Sequence, residues 1–188
     1  MALDTIQATK IANDNFCYQA GRFYGSTSGL GLGVGLIYDG VSFPSFDEKQ
    51  KLFDTLAGLV YVLSHECDVD QGNNRVFNDY VLVCPIIDFA EFVDEFGADQ
   101  STDNLKSLIF DLVADKIFRA LYIPPISQSV LPSGGIIYFN QIANTHVSSF
   151  SNAESRPICA LSAYAQVIFD YKLENHLLRP KSDKLPTL

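Results

Sequence analysis

Between residues 58 and 87 the chain reads GLVYVLSHECDVDQGNNRVFNDYVLVCPII. Two apolar runs, 59–63 and 80–84, flank a polar segment. Continuous apolar runs of this length suit strands buried on both faces. With 16 residues between them, the two most simply pair as an antiparallel hairpin. Any fold this chain adopts has to be built around that pair.

The remaining patterns predict a mixture that does not alternate regularly. Strands are expected near 22–38, 59–65, 80–87, 136–142, 145–150 and 156–161, separated by turn residues as in a small barrel or curled sheet. The glycines at 29, 31, 33 and 35 would share one face of the first strand. They form no G-x-G-x-x-G fingerprint, and no P-loop lysine follows. Asp39-Gly40 reads as a turn. Ser45-Phe46-Asp47-Glu48 reads as a capping box opening a helix to Ala57, with Phe46, Leu52, Phe53 and Leu56 inward. A short helix is expected over 88–96. A longer one over 104–121 carries the stripe Leu105, Leu108, Ile109, Leu112, Val113, Ile117 and Leu121 and ends at Pro124-Pro125. Ser162 caps a last helix over 163–178, with Val167, Ile168, Tyr171 and Leu178 inward. The fold class is therefore α+β: a small, mostly antiparallel sheet or barrel with three to four inserted or appended helices. A doubly wound parallel sheet is rejected. No linker divides the chain, so 1–188 is expected to be one domain, with 179–188 a frayed tail.

Of the 188 residues, 47% are hydrophobic and 19% charged, enough apolar material for a core. The net charge of −9 argues against broad binding to nucleic-acid phosphates, which Lys and Arg must neutralise. No basic-then-apolar leader opens the chain, and no run approaches the roughly 20 apolar residues that span a bilayer. Cys17, Cys67, Cys84 and Cys159 are too scattered for a disulfide framework. A cytoplasmic protein with free thiols is expected. Its 14 Phe and 9 Tyr leave room for a homo-oligomer interface.

The polar segment after residue 63 concentrates the reactive side chains. In a strand, His65 and Cys67 would point to the same face. Imidazole and thiolate are zinc ligands, and His65, Cys67 and Cys84 would supply three of the four that structural zinc takes, with Cys17, His146 or Asp68 as the fourth. A Cys beside a His is also a nucleophile pattern, with Asp68 or Asp70 orienting the imidazole. Asp68, Asp70, Asn73, Asn74 and Asp79 offer oxygens to calcium or magnesium, but the glycine and closing residue do not fit an EF-hand. The structural alternative has Ser64, His65 and Asp68 tying the loop down while Cys67 packs.

The order of these features resembles a diffuse set of uncharacterised bacterial proteins. In them an apolar strand runs into S-[H/Q]-x-C-D, then an Asn-bearing loop and a strand ending near Pro-Ile. An aromatic-Leu/Ile-Pro-Pro segment and an L-P-x-S-like turn come later. The matching residues are Ser64, His65, Cys67, Asp68, Asn74, Pro85 and Ile86, then Tyr122-Ile123-Pro124-Pro125, Leu131-Pro132-Ser133 and Phe139-Asn140. Gly134-Gly135 departs from the acidic residue usual after that turn. The resemblance implies a small barrel near mobile-element and defence genes. Two functions follow as expectations. One is a binding or adaptor module of a bacterial or phage conflict system, meeting a protein partner through a barrel face and the 64–79 loop. The other is a small metal- or thiol-dependent hydrolase or nuclease-like enzyme centred on His65, Cys67, Asp68 and Asp70.

Overall fold

In the computed structural model the two central apolar runs do pair. Val60, Tyr61 and Val62 of β3 (Leu52–Val62) lie opposite Pro85, Cys84 and Val83 of β4 (Tyr80–Asp88). The structure describes residues 3–47, 50–70, 72, 79–126 and 130–178. Glu48, Asn73, Asn74 and the tail 179–188 lie outside the described residues.

The other strands are β1 (Tyr24–Gly25), β2 (Leu36–Asp47), β5 (Ala120–Ile123), β6 (Gly135–Tyr138), β7 (Ala143–His146) and β8 (Arg156–Leu161). They form one antiparallel sheet in the order β1-β8-β2-β3-β4-β6-β5, with β7 paired to β4. The sheet is curled. The Tyr24 hydroxyl donates to the Pro124 carbonyl at 2.5 Å, bringing the two outer strands together. Strand alternation then sorts side chains into an inside and an outside. Ile37, Tyr61, Cys84, Ile86, Leu121, Ile123, Ile137, Cys159 and Leu161 fill the interior. The intervening Leu36, Val60, Val62, Val83 and Ala160 form a separate cluster on the outer face of β2, β3, β4 and β8. The class is α+β, as the sequence predicts.

The helices cover what the curled sheet leaves open. These are α1 (Thr5–Asn15), α2 (Glu66–Val69), α3 (Phe89–Asp99), α4 (Thr102–Val113) and α5 (Ala163–Leu178). Asp4, Asp88 and Ser101 accept hydrogen bonds from the first turns of α1, α3 and α4. These three helices pack Ala8, Ala12, Phe89, Val93, Leu105, Ile109 and Leu112 against the outer face of β5 and β6. Ser162 caps α5, accepting from the Ala165 amide at 3.2 Å, and Ala165 and Phe169 plug the interior.

Five expectations are corrected. Residues 45–47 and 52–57 are not a helix: they are strands of the far half of the β2–β3 hairpin. Ser45 faces Asp54 and Phe46 faces Phe53, with ring centroids 5.2 Å apart. Asp47 caps a turn instead of a helix, its carboxylate accepting from the Gln50 amide and its carbonyl from the Lys51 amide. Asp39-Gly40 is not a turn but a bulge in β2, where register shifts between Tyr38 and Val41. The glycine run lies between β1 and β2 instead of on a strand. Gly35 takes φ +94°, a region closed to an extended residue with a side chain. The helix over 104–121 stops at Val113, because Asp115 adopts φ +62°, and Leu121 belongs to β5. On α5, Val167, Tyr171 and Leu178 are exposed, and the inward face is Ala165, Phe169 and Lys172.

Lys172 explains that rotation. Its side chain is 2% exposed, and its ammonium pairs with Asp115 Oδ1 and donates to the Ile117 carbonyl at 2.9 Å. Asp115 Oδ2 accepts from the Tyr18 hydroxyl at 2.5 Å. Burial, then that hydrogen bond and the Asp115 charge, push the Tyr18 phenol up. One carboxylate thus fastens the segment after α1, the end of α4 and α5 together.

Candidate functional site

The polar segment starts as an extension of β3. The Leu63 amide donates to the Leu82 carbonyl at 2.9 Å, and Ser64 Oγ accepts from the Leu82 amide at 2.8 Å. Ser64 thus ends the ladder with its side chain where a backbone carbonyl would have been. The chain then turns into α2, with His65 as the residue preceding its first turn. Backbone bonds from Asp68 to His65 and from Asp70 to Glu66 close the turns. Val69 is buried in the outer cluster and anchors the segment to the sheet. The Glu66 backbone packs against the glycine run so closely that a Cβ at Gly33 would sit 2.9 Å from the Glu66 nitrogen.

This geometry changes what the predicted residues can do. His65 and Cys67 are not on a strand, so the shared face expected from alternation is replaced by a helical turn. Both are exposed, neither packed beneath helices nor enclosed. They line a shallow notch of about 380 Å³ together with Glu66 and Asp70, and Asp68 lies off it. The Cys67 thiol points to the Asp68 carboxylate, 3.8 Å from Oδ1.

The zinc set is dispersed. Cys84 sits inside the curled sheet, its thiol donating to the Tyr138 carbonyl at 3.3 Å, and burial pushes its pKa up to about 12. Of the candidates for a fourth ligand, Cys17 lies by Asp115, where burial and that carboxylate raise its pKa. His146 stands on β7 with Nδ1 2.8 Å from Ser148 Oγ and its ring edge-on to Tyr80. Among the described residues no three His, Cys, Asp or Glu side chains converge on a point where an ion could bind. Asp68, Asp70 and Asp79 do not gather for calcium either. The Asp70 carboxylate instead accepts from the Gly72 amide at 2.8 Å, an Asx turn.

Two features escape a reading of the sequence. A larger cavity of about 670 Å³ joins Glu66 and Asp70 to Leu32, Tyr38, His146 and Ser148, residues that only the folded sheet makes neighbours. The other is the far half of the β2–β3 hairpin, which projects from the sheet as an arm. Phe46, Leu52, Phe53 and Leu56 are all exposed there, Phe53 at 77%. The alternation of Pro44 and Phe46 with Ser45 and Asp47 is the signal for it. No family model, curated protein or solved structure matches the chain.

Proposed function

We propose that the protein is a binding module that meets a protein partner through the β2–β3 arm and the segment from residue 64 to 79. The observation that carries this reading is the arm itself. Phe46 and Phe53 stand exposed together on one face of a two-stranded projection, with Leu52 and Leu56 exposed on its other face, while the rest of the sheet buries most of its large apolar side chains. Apolar groups clustered on such a surface favour a partner that covers them. The resemblance adds the setting, an adaptor in a bacterial or phage conflict system. A hydrolase centred on His65, Cys67, Asp68 and Asp70 has less in its favour, since the notch is shallow and Asp68 lies off it.

Site-specific photo-crosslinking in the source cells tests the reading. A benzophenone side chain at Phe53 is expected to give one discrete protein adduct, and the same probe at exposed Phe118, beyond α4, none. Phe53→Asp should abolish the adduct formed by a probe at Leu52 while costing less than about 1 kcal/mol of stability, the scale of a cross-strand pair. Absence of any adduct at the arm, with a cellular activity lost in Cys67→Ser, would overturn the module in favour of the enzyme.

A further inference from the structure

The arm leaves the sheet at one place, and three features coincide there. Pro85, opposite Val60, is the last residue of β4 that pairs with β3. Immediately beyond it β4 changes partner, Ile86, Ile87 and Asp88 pairing with β6 instead. On the other side the Asp39-Gly40 bulge lies opposite Leu59 and adds local twist. The strands β3 and β4 therefore splay. Among the described residues, no strand pairs with the outer edge of β3 from residue 53 to 58, and the ladder with β4 ends at Val60–Pro85. An open edge of this kind is a template for another strand.

The splay is a groove of about 550 Å³ rather than a flat gap. Its floor is apolar, with Phe43, Leu56, Leu59 and Ile86. Its far wall is α3, where Glu91 and Glu95 stand one turn apart on the side facing the arm, below Asp88. Asp39 lies at the end by the bulge, and among the described residues no Lys, Arg or His lines the groove. Asp88 is occupied with the Ala90 amide and Asp39 with Arg156, at 2.7 and 3.2 Å, which leaves Glu91 and Glu95 facing the groove as its outward charges.

Resting on the binding-module reading, we infer that this groove takes an extended basic segment of the partner, added as a strand to the free edge of β3. Main-chain hydrogen bonds to residues 53–58 supply register. Alternate apolar side chains of the guest meet Leu56 and its cross-strand neighbour Phe43, which share one face, and lysines or arginines on its helix-facing side meet Glu91 and Glu95. Charge selects this guest over a second copy of the chain. The protein carries −9 overall, and a copy docking through its own arm would bring Asp47 and Asp54 toward a wall already acidic.

The test uses the full-length protein and an eight-residue peptide alternating lysine with valine or threonine, beside its glutamate counterpart. Expected are saturable binding of the lysine peptide by fluorescence anisotropy, at least ten-fold weaker binding of the glutamate peptide, and slowed amide exchange at alternate residues of 53–58. Glu91→Gln/Glu95→Gln and Glu91→Lys/Glu95→Lys should weaken binding ten-fold or more, with circular dichroism unchanged. Binding indifferent to these charge changes, or protection confined to other strands, overturns the inference. Concentration-dependent dimers that protect 53–58 without peptide overturn it in favour of a second copy. If Phe53 cross-links a partner while no basic peptide binds, the module stands and the groove assignment fails; loss of both fails the module itself.

Discussion

Replacing Asp115 by Asn probes the contact that orients α5. The substitution keeps side-chain shape and the tolerance for positive φ at this position, so the end of α4 need not rearrange. What it removes is the counter-charge of Lys172, whose side chain is 2% exposed and cannot reach water. Deleting one member of a buried ion pair costs about 3–5 kcal/mol. Asp115 is itself 21% exposed, and the Ile117 carbonyl still accepts from the ammonium, so the lower end applies, about 3 kcal/mol. For a chain of this length each kcal/mol moves the melting temperature by about 2–4 °C, giving a loss of about 6–12 °C. Urea titration followed by far-ultraviolet circular dichroism at neutral pH measures the free energy directly. Lys172→Met should cost about 1 kcal/mol, because it removes the buried charge and leaves Asp115 bonded to Tyr18. In the Asp115→Asn background the Met substitution should restore stability, a coupling of about 2 kcal/mol. A loss below about 0.5 kcal/mol for Asp115→Asn, the scale of surface ion pairs in general, would refute the reasoning, as would simple additivity of the two.

Two further outcomes follow from the thiols. Native protein treated with a maleimide should be modified at exposed Cys67 and Cys17, and mass spectrometry should find Cys84 and Cys159 modified only after guanidinium unfolding. Burial holds Cys84 and Cys159 up to about 12, so both stay protonated when folded but ionise on unfolding above about pH 9. The unfolded chain then binds fewer protons, and stability should fall between about pH 9 and 12. A urea midpoint that stays flat across that range would contradict the buried placement of both thiols.

What can be read from the chain depends on whether the deciding contact is local. The pairing of 59–63 with 80–84 is legible because its turn and both runs sit in one stretch of sequence. The caps at Ser101 and Ser162 are legible for the same reason. The arm misleads because Ser45-x-x-Glu48 satisfies a capping pattern while its leucines and phenylalanines satisfy helical spacing. Only the cross-strand partners, Phe46 with Phe53, settle it as a hairpin. The face of α5 misleads because periodicity turns apolar residues inward and a lysine outward, whereas the deciding group is Asp115, at the end of another helix. At the site, the density of His65, Cys67 and Asp70 is visible in the sequence, but strand adjacency alone draws Cys84 into it. Strand alternation instead sends that thiol into the interior, to a carbonyl from β6.

The strand order has a consequence for how the chain is made. Tyr24 pairs with Leu161, and β2 pairs with β8, so the sheet's first strands wait for its last. β4 likewise pairs with β6 and β7, which emerge long after it. A nascent chain still on the ribosome can complete the hairpins of its first half but not the curl. Until residues 156–161 appear, Ile37, Tyr61 and Cys84 face water together. Such non-local closure is slow compared with local pairing. Synthesis itself is therefore the period in which this protein is most prone to aggregate, and a chaperone that shields the inner face would matter more to its yield than any gain in final stability.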